Sequence, residues 1–256
     1  MKLHVESKGE GPALLFLHGF GGSARNWRPQ IRALSGAHRC IAYDARGHAR
    51  SEAPADPAVY DAAAFVADGV RVLAEAGVGR ATWIGLSMGA AVALEAAIRA
   101  PETVRSLVLA SLPAGRGGSG ISGHAADFAD AIEREGLEAA GARFVWGTPS
   151  GALDPGAKLI RQGFLEHPPH GLVNTLRGLL APGPPARERA AELARVRVPA
   201  LILAGSRDAA SVAASRDLAD LLPGARLEIL EGAGHVANLE QPDAWNARVA
   251  AFLAAP

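Results

Sequence analysis

Six short apolar runs recur along the chain, at residues 13–17, 39–43, 81–84, 106–109, 200–203 and 226–230, and each is closed within a few residues by Gly, Asp, Ser or Pro. Short β-branched or aliphatic runs of this kind predict parallel strands buried on both faces. The stretches between them carry helical spacing. Asp56 can cap a helix with Pro57 at its first position, and Val59, Ala62, Val66, Val70 and Leu73 then share a face until Gly77. Ser211 can cap another, with Leu218, Leu221 and Leu222 on one face before Pro223-Gly224, and a last helix starting at Pro242 buries Trp245, Val249, Phe252 and Leu253. Strands alternating with helices predict an α/β fold, a mostly parallel central sheet with helices on both faces and right-handed crossovers.

The alternation lapses between residues 113 and 196. This stretch holds Gly115-Arg-Gly-Gly-Ser-Gly120, the prolines at 168–169 and 182–185, and helical patterns near 125–142 and 172–180, with no strand pattern between. The expected organisation is a core of residues 1–112 and 197–256 with a helical cap, 113–196, inserted into it. Ligands of parallel sheets bind outside the carboxyl ends of the strands, and an insertion leaving from that edge would roof such a site.

Composition narrows the partners. Lys plus Arg and Asp plus Glu are both 26, so the net charge is zero and no basic field draws in nucleic acid or an anionic membrane. No segment approaches the about 20 uninterrupted apolar residues of a membrane helix, and residues 1–10 lack the apolar stretch of a signal peptide, so a cytoplasmic protein is expected. A single cysteine, Cys40, excludes an internal disulfide and a cysteine-ligated zinc site; within an apolar run it reads as a core residue.

Candidate chemistry centres on Gly85-Leu-Ser87-Met-Gly89, which follows the run 81–84 and precedes an uninterrupted helix former. Strand, tight turn and helix in that order are the context of a nucleophile elbow, in which flanking glycines leave room for a strained turn that lifts the hydroxyl above the sheet. Ser87 is therefore a candidate nucleophile, its alternative being a plain helix N-cap. A serine needs a base, and the base an orienting acid. His235, in Gly232-Ala-Gly-His-Val236, and Asp208, after Ala204-Gly-Ser-Arg207, both stand at strand carboxyl ends. The order Ser87, Asp208, His235 is that of one hydrolase architecture among the serine triads. The backbone N–H groups of Phe20, in the glycine loop after the first run, and of Met88 are candidates for an oxyanion hole. That loop lacks the Gly-Lys-Ser of a phosphate cradle. Trp146, Phe164 and Leu172 either line a substrate pocket or pack the cap onto the sheet.

Other residues read as decoys. Gly115 to Gly120 matches a dinucleotide loop but lies too far along the chain, and serves better as a hinge. His167 and His170 flank two prolines, which keep them off a shared helical face, so no metal is expected; His18 and His48 read as loop histidines bonded to backbone.

His18-Gly19-Phe20, Asp44-Ala-Arg-Gly-His48, Gly85-Leu-Ser-Met-Gly89, Gly205-Ser-Arg-Asp208 and Gly234-His235 together resemble the ordered motifs of the α/β-hydrolase superfamily across nearly the whole chain. The most similar group contains carboxylesterases, enol-lactone hydrolases, carbon–carbon bond hydrolases and the menaquinone-pathway lyase. The resemblance implies a cofactor-free serine hydrolase acting on a small-molecule ester or lactone. A lyase or carbon–carbon hydrolase with the same triad is the alternative, and a non-catalytic ligand receptor a further one. The segment Gly171 to Gly178 resembles part of that lyase's cap, but Ala90-Ala91-Val92 stands where the lyase has an arginine. Ala49 replaces a glycine common among relatives. Serine rather than aspartate at 87 departs from the dehalogenase and epoxide-hydrolase branches.

Overall fold

The computed structural model describes residues 1–113, 121–147, 157–181 and 186–255. The elements in chain order are β1 (Val5–Lys8), β2 (Ala13–Leu17), α1 (Arg28–Leu34), β3 (Arg39–Tyr43), α2 (Ala62–Glu75), β4 (Ala81–Leu86), α3 (Met88–Arg99) and β5 (Val104–Ala110). There follow α4 (Ala125–Gly141), α5 (Ala157–Leu165), α6 (Pro169–Thr175), α7 (Ala190–Leu193), β6 (Ala200–Gly205), α8 (Ala209–Leu221), β7 (Arg226–Leu230), α9 (Ala237–Glu240) and α10 (Pro242–Leu253). Seven strands form one sheet in the order β1-β3-β2-β4-β5-β6-β7. All neighbours are parallel except β1, which pairs antiparallel with β3.

The apolar runs occupy the sheet, but β7 (Arg226–Leu230) is its edge, where only Leu230 is buried, so this run is not enclosed on both faces as expected. Every residue of β2, β4 and β6 is buried, and side chains alternate between two cores. Ala13, Leu15 and Leu17 of β2 join a cluster with Phe65 and Val66 of α2, Val92 of α3 and Leu218 of α8. Leu14 and Phe16 face the other way, with Trp27, Trp245 and Val249, beneath α1 and α10. Both faces are thus covered by helices, the α/β arrangement expected. β2 lies between β3 and β4, so chain order reverses there, and the loops leaving β2 and β4 open a crevice at their carboxyl ends.

Three local expectations are corrected. Residues 5–8 form an unforeseen edge strand, mostly solvent-exposed, so no apolar run marked it. Asp56 caps only a 3-10 turn, Pro57–Val59. The helix itself is capped by Asp61, whose carboxylate accepts from the Ala64 N–H at 2.8 Å, because the intervening Tyr60 turns into the core and its hydroxyl donates to the Pro54 carbonyl. Finally, Asp208 rather than Ser211 caps α8; its carboxylate accepts from the Ser211 N–H at 3.2 Å.

Between β5 and β6 the described residues are helices and turns without a strand. α4 is broken at Gly136 (φ 81°, ψ 172°), and the rings of Phe128, Phe144 and Phe164 stack beside it. Gly115 to Gly120 lie outside the described residues. Among the described residues no helix is long and apolar enough to cross a membrane.

The loop after β3 is pinned by charge. Arg46 donates to Asp68 at 2.7 Å and to the carbonyls of Ala64 and Val59. Asp44, fully buried, accepts from Arg50 and from the Ala24 N–H. In this loop Ala49 holds φ 44°, a left-handed conformation costing a non-glycine residue about 1–2 kcal/mol. After allowance for the greater freedom of glycine in the unfolded chain, Ala49→Gly is expected to stabilise the protein by about 0.5–1 kcal/mol and to raise Tm by about 2 °C. A thermal melt showing a lower Tm would contradict it.

Candidate active site

Ser87 sits between β4 and α3 with φ 52° and ψ −111°, a strained conformation for a residue with a side chain. The turn is possible only because its flanks are glycines. A Cβ on Gly85 would lie 2.2 Å from the Gly89 carbonyl, and one on Gly89 would lie 2.1 Å from the Leu17 carbonyl oxygen. The Ser87 N–H donates to the Ala110 carbonyl at 2.8 Å, and the side chain stands at the sheet's carboxyl edge, partly exposed.

The loop after β2 closes against it. Gly22 N–H donates to the Gly19 carbonyl at 3.0 Å, forming a tight turn around Phe20 and Gly21, and a Cβ on Gly19 would stand 3.7 Å from the Ser87 Cβ. Among the described residues neither the Phe20 nor the Met88 N–H has a hydrogen-bond partner. Met88 is the first residue of α3, where backbone N–H groups are left free and the helix dipole favours negative charge.

His235 follows β7, and its Nδ1 lies 2.5 Å from Asp208 Oδ2. Burial raises the Asp208 pKa, but the hydrogen bond and charge of His235, with the Ser211 hydroxyl and N–H, outweigh burial and hold it at about 2. Asp208 is thus an anion under ordinary conditions, and a proton on Nδ1 leaves His235 Nε2 as the acceptor. The His235 side chain is 41 % exposed. No hydrogen bond joins its ring to Ser87 Oγ among the described residues; such contacts commonly tighten only with substrate in place.

Ser111 was missed. It follows β5 with φ 49°, is fully buried, and its hydroxyl donates to the His235 carbonyl at 2.7 Å while its N–H donates to the Leu203 carbonyl. With Ala110 accepting from Ser87, the end of β5 ties the serine turn, β6 and the histidine loop together. No local signal in the sequence distinguishes Ser111 from any loop serine.

His18 and His48 are bonded to backbone as expected. His18 Nδ1–H donates to the Gly19 carbonyl at 2.8 Å and its Nε2 accepts from the Ala45 N–H at 2.9 Å; His48 Nδ1 donates to the Arg46 carbonyl. Burial lowers the His18 pKa to about 4, and burial with the nearby His18 and His167 lowers that of His48 well below its usual value. Below the unfolded value of 6.5 the unfolded chain takes up protons that the folded chain refuses, so this stability is present above about pH 6.5 and is lost as pH falls towards 4. His18 alone is expected to remove about 2 kcal/mol between pH 7 and pH 5. Urea unfolding at the two pH values should show that loss, and His18→Gln should flatten it; an unchanged slope in the variant would refute the assignment.

Of the remaining candidates, Cys40 is buried and its thiol is pushed up to about 11 by burial, which leaves it inert. His167 and His170 bond to different carbonyls, those of Gly22 and Ala53. Trp146 is half-buried, whereas Leu172 is fully buried and Phe164 is only 2 % exposed. The Phe164 ring lies where a Cβ on Gly21 would fall, 2.5 Å from its Cδ2, and 6.2 Å from the ring of Phe20. A cleft of about 380 Å³ between β1 and α1 opens at the amino ends of the parallel strands, away from Ser87.

The sequence model of the Alpha/beta hydrolase family matches residues 14–248. The chain belongs to the alpha/beta hydrolase family. Two relatives of this hydrolase are each 30 % identical to it over 256 residues. One, from Bacillus subtilis (strain 168), is provisionally named 2-succinyl-6-hydroxy-2,4-cyclohexadiene-1-carboxylate synthase, with 95 % of this chain and 92 % of that protein covered. The other is 3-oxoadipate enol-lactonase 2 of Acinetobacter baylyi (strain ATCC 33305 / BD413 / ADP1), with 94 % and 88 % covered. Among solved structures, the enol-lactonase from Burkholderia xenovorans LB400 superposes on this alpha/beta hydrolase with a TM-score of 0.86 at 26 % identity, covering 99 % of this chain and 96 % of that one.

Proposed function

We propose that this alpha/beta hydrolase is a cofactor-independent serine hydrolase of small carboxylic esters or lactones. The observation that carries the proposal is the strained turn of Ser87 beside the Asp208–His235 pair, with the Phe20 and Met88 N–H groups unpaired. His235 Nε2 takes the Ser87 proton as Oγ attacks the carbonyl carbon, and Asp208 stabilises the imidazolium. The Phe20 and Met88 amides receive the developing oxyanion. The leaving alcohol departs with the proton from His235, and water, activated by the same imidazole, then cleaves the acyl-enzyme. Residues 113–196 act as the cap over the crevice; of its three candidate residues Trp146 keeps surface to offer a substrate, whereas Phe164 and Leu172 are packed into the core. The enol-lactonases among the relatives favour an ester or lactone carbonyl.

Reaction with an organophosphorus ester, followed by peptide mass spectrometry, tests the nucleophile. Mass is expected on Ser87, and modification elsewhere or none overturns the proposal. The second reading, a lyase using the same residues without an acyl-enzyme, draws support from the similarity to the Bacillus subtilis synthase, but Ala90 and Val92 after the turn are buried apolar residues offering nothing to a substrate carboxylate. A pre-steady-state burst with p-nitrophenyl esters distinguishes the two, since only an acyl-enzyme produces it.

A further inference from the structure

We infer that His167 is a positioning residue for the Phe20 turn, acting as a double donor that ties the carboxyl end of α5 to the Gly22 carbonyl. The inference rests on the proposed role of the Phe20 amide and extends it by naming what holds that amide in place.

Three buried imidazoles stand together at this point. The centroids of His18 and His48 are 5.1 Å apart and those of His48 and His167 are 5.3 Å apart. Their hydrogen-bond partners differ in kind. His18 faces a carbonyl on Nδ1 and an N–H on Nε2, the pattern of a neutral ring, and His48 faces a carbonyl on Nδ1 alone, its buried Nε2 having no partner. His167, only 4 % exposed, faces acceptors on both sides. Nδ1 lies 2.8 Å from the Gly163 carbonyl and 3.1 Å from that of Phe164, while Nε2 lies 2.9 Å from that of Gly22. A neutral imidazole has one N–H and one lone pair, so it can serve only one of these two sides and sets its lone pair against a carbonyl on the other. With both nitrogens protonated every contact is a hydrogen bond.

The surroundings accept that charge. Gly163 and Phe164 are carbonyls at the negative end of α5. On the same segment Glu166 is already paired with Arg25 at 2.8 Å, and His170 is bonded to the Ala53 carbonyl. Across the interface stand His48 and, behind it, His18, both kept neutral by burial, then Asp44 and Arg50, which pair with each other at 2.7 Å. No uncompensated cation among these described groups opposes a protonated His167.

The consequence falls on the turn. Gly22 closes it through its N–H and is held from α5 through its carbonyl. Loss of the second proton frees one side, and the Phe20 N–H loses its fixed aim at the oxyanion.

Long-range proton–nitrogen NMR of 15N-labelled protein reads the ring directly. At about pH 6 both nitrogens of His167 are expected to show protonated shifts, while His18 and His48 each keep one bare nitrogen. The signals are assigned by their loss in His167→Gln or, should that variant not fold, by contacts to Phe164 in the wild type. A bare nitrogen on His167 at that pH overturns the inference, whether or not the protein cleaves esters. With p-nitrophenyl acetate, wild-type kcat should exceed that of His167→Gln about tenfold near pH 6, the gap closing as the second proton leaves, with KM changed less than about twofold. A gap constant across pH, following a fall in Tm, would mark a purely structural residue and overturn the positioning role. Failure of both proteins to cleave any ester would instead count against the proposed function, and the NMR result would still decide the state of the ring.

Discussion

Ser87→Ala is expected to lower kcat for a p-nitrophenyl ester by about 10⁴–10⁶-fold while leaving Tm within about 2 °C of the wild type. The size follows from the role: without Oγ there is no acyl-enzyme, and what remains is the residual acceleration from the oxyanion donors and from binding. The fold survives because the contacts that shape the turn are made by the backbone. The Ser87 N–H bonds to Ala110 and its carbonyl accepts from the Ala91 N–H at 3.0 Å, and alanine bears a φ of 52° about as well as serine does. Steady-state kinetics with a thermal melt check both halves. A variant that keeps more than about a hundredth of wild-type turnover would remove Ser87 as the nucleophile.

Asp208→Asn should cost about 10⁴-fold in kcat near neutral pH. Asparagine caps a helix as well as aspartate does, so α8 keeps its start and the Ser211 N–H keeps an acceptor. What is lost is a charge opposite Nδ1. The amide can present its NH₂ to the ring as readily as its oxygen, which favours the tautomer with the proton on Nε2 and leaves no lone pair there for the Ser87 hydroxyl. Because the carboxylate holds its charge down to about pH 2, raising the wild-type pH from 5 to 8 changes nothing at this residue. The deficit of the variant should therefore reflect the missing charge throughout that range. A loss of tenfold or less would show that Asp208 is only a helix cap.

The sequence made visible what depends on neighbours in the chain. β2, β3 and β7 match the expected runs residue for residue; for β2 and β3 this is because a strand bearing on apolar cores needs an apolar run and a turn residue to end it, whereas β7 lies at the sheet edge with only Leu230 buried. The serine turn was legible for a similar reason: Gly85 and Gly89 are dictated by backbone atoms less than 3 Å away, and few other reasons place two glycines there. β1 was not legible because an exposed edge strand needs no core pattern. Asp208 was read for chemistry while its capping role went to Ser211, although one carboxylate serves both the His235 ring and the α8 amide. Ser111 and His167 lay beyond reach. Their partners are 124 and 145 residues away, and a single sequence carries no mark of which serine or histidine will meet a carbonyl at that distance.

The four tryptophans divide between the two halves of this arrangement. Trp27, Trp83 and Trp245 have no exposed surface; Trp27 and Trp245 lie 5.7 Å apart beneath the sheet, and the Trp83 indole donates to the Thr103 carbonyl on the opposite face. Trp146 alone is partly open to solvent, edge-on to Phe164 at 5.7 Å and with the Arg161 guanidinium 5.9 Å from its ring. Ultraviolet emission from the three enclosed indoles thus reports denaturation of the sheet, whereas quenching by dissolved iodide or acrylamide reaches only the fourth. That single fluorophore provides an intrinsic optical signal for changes in the helical segment between β5 and β6, separate from the integrity of the core.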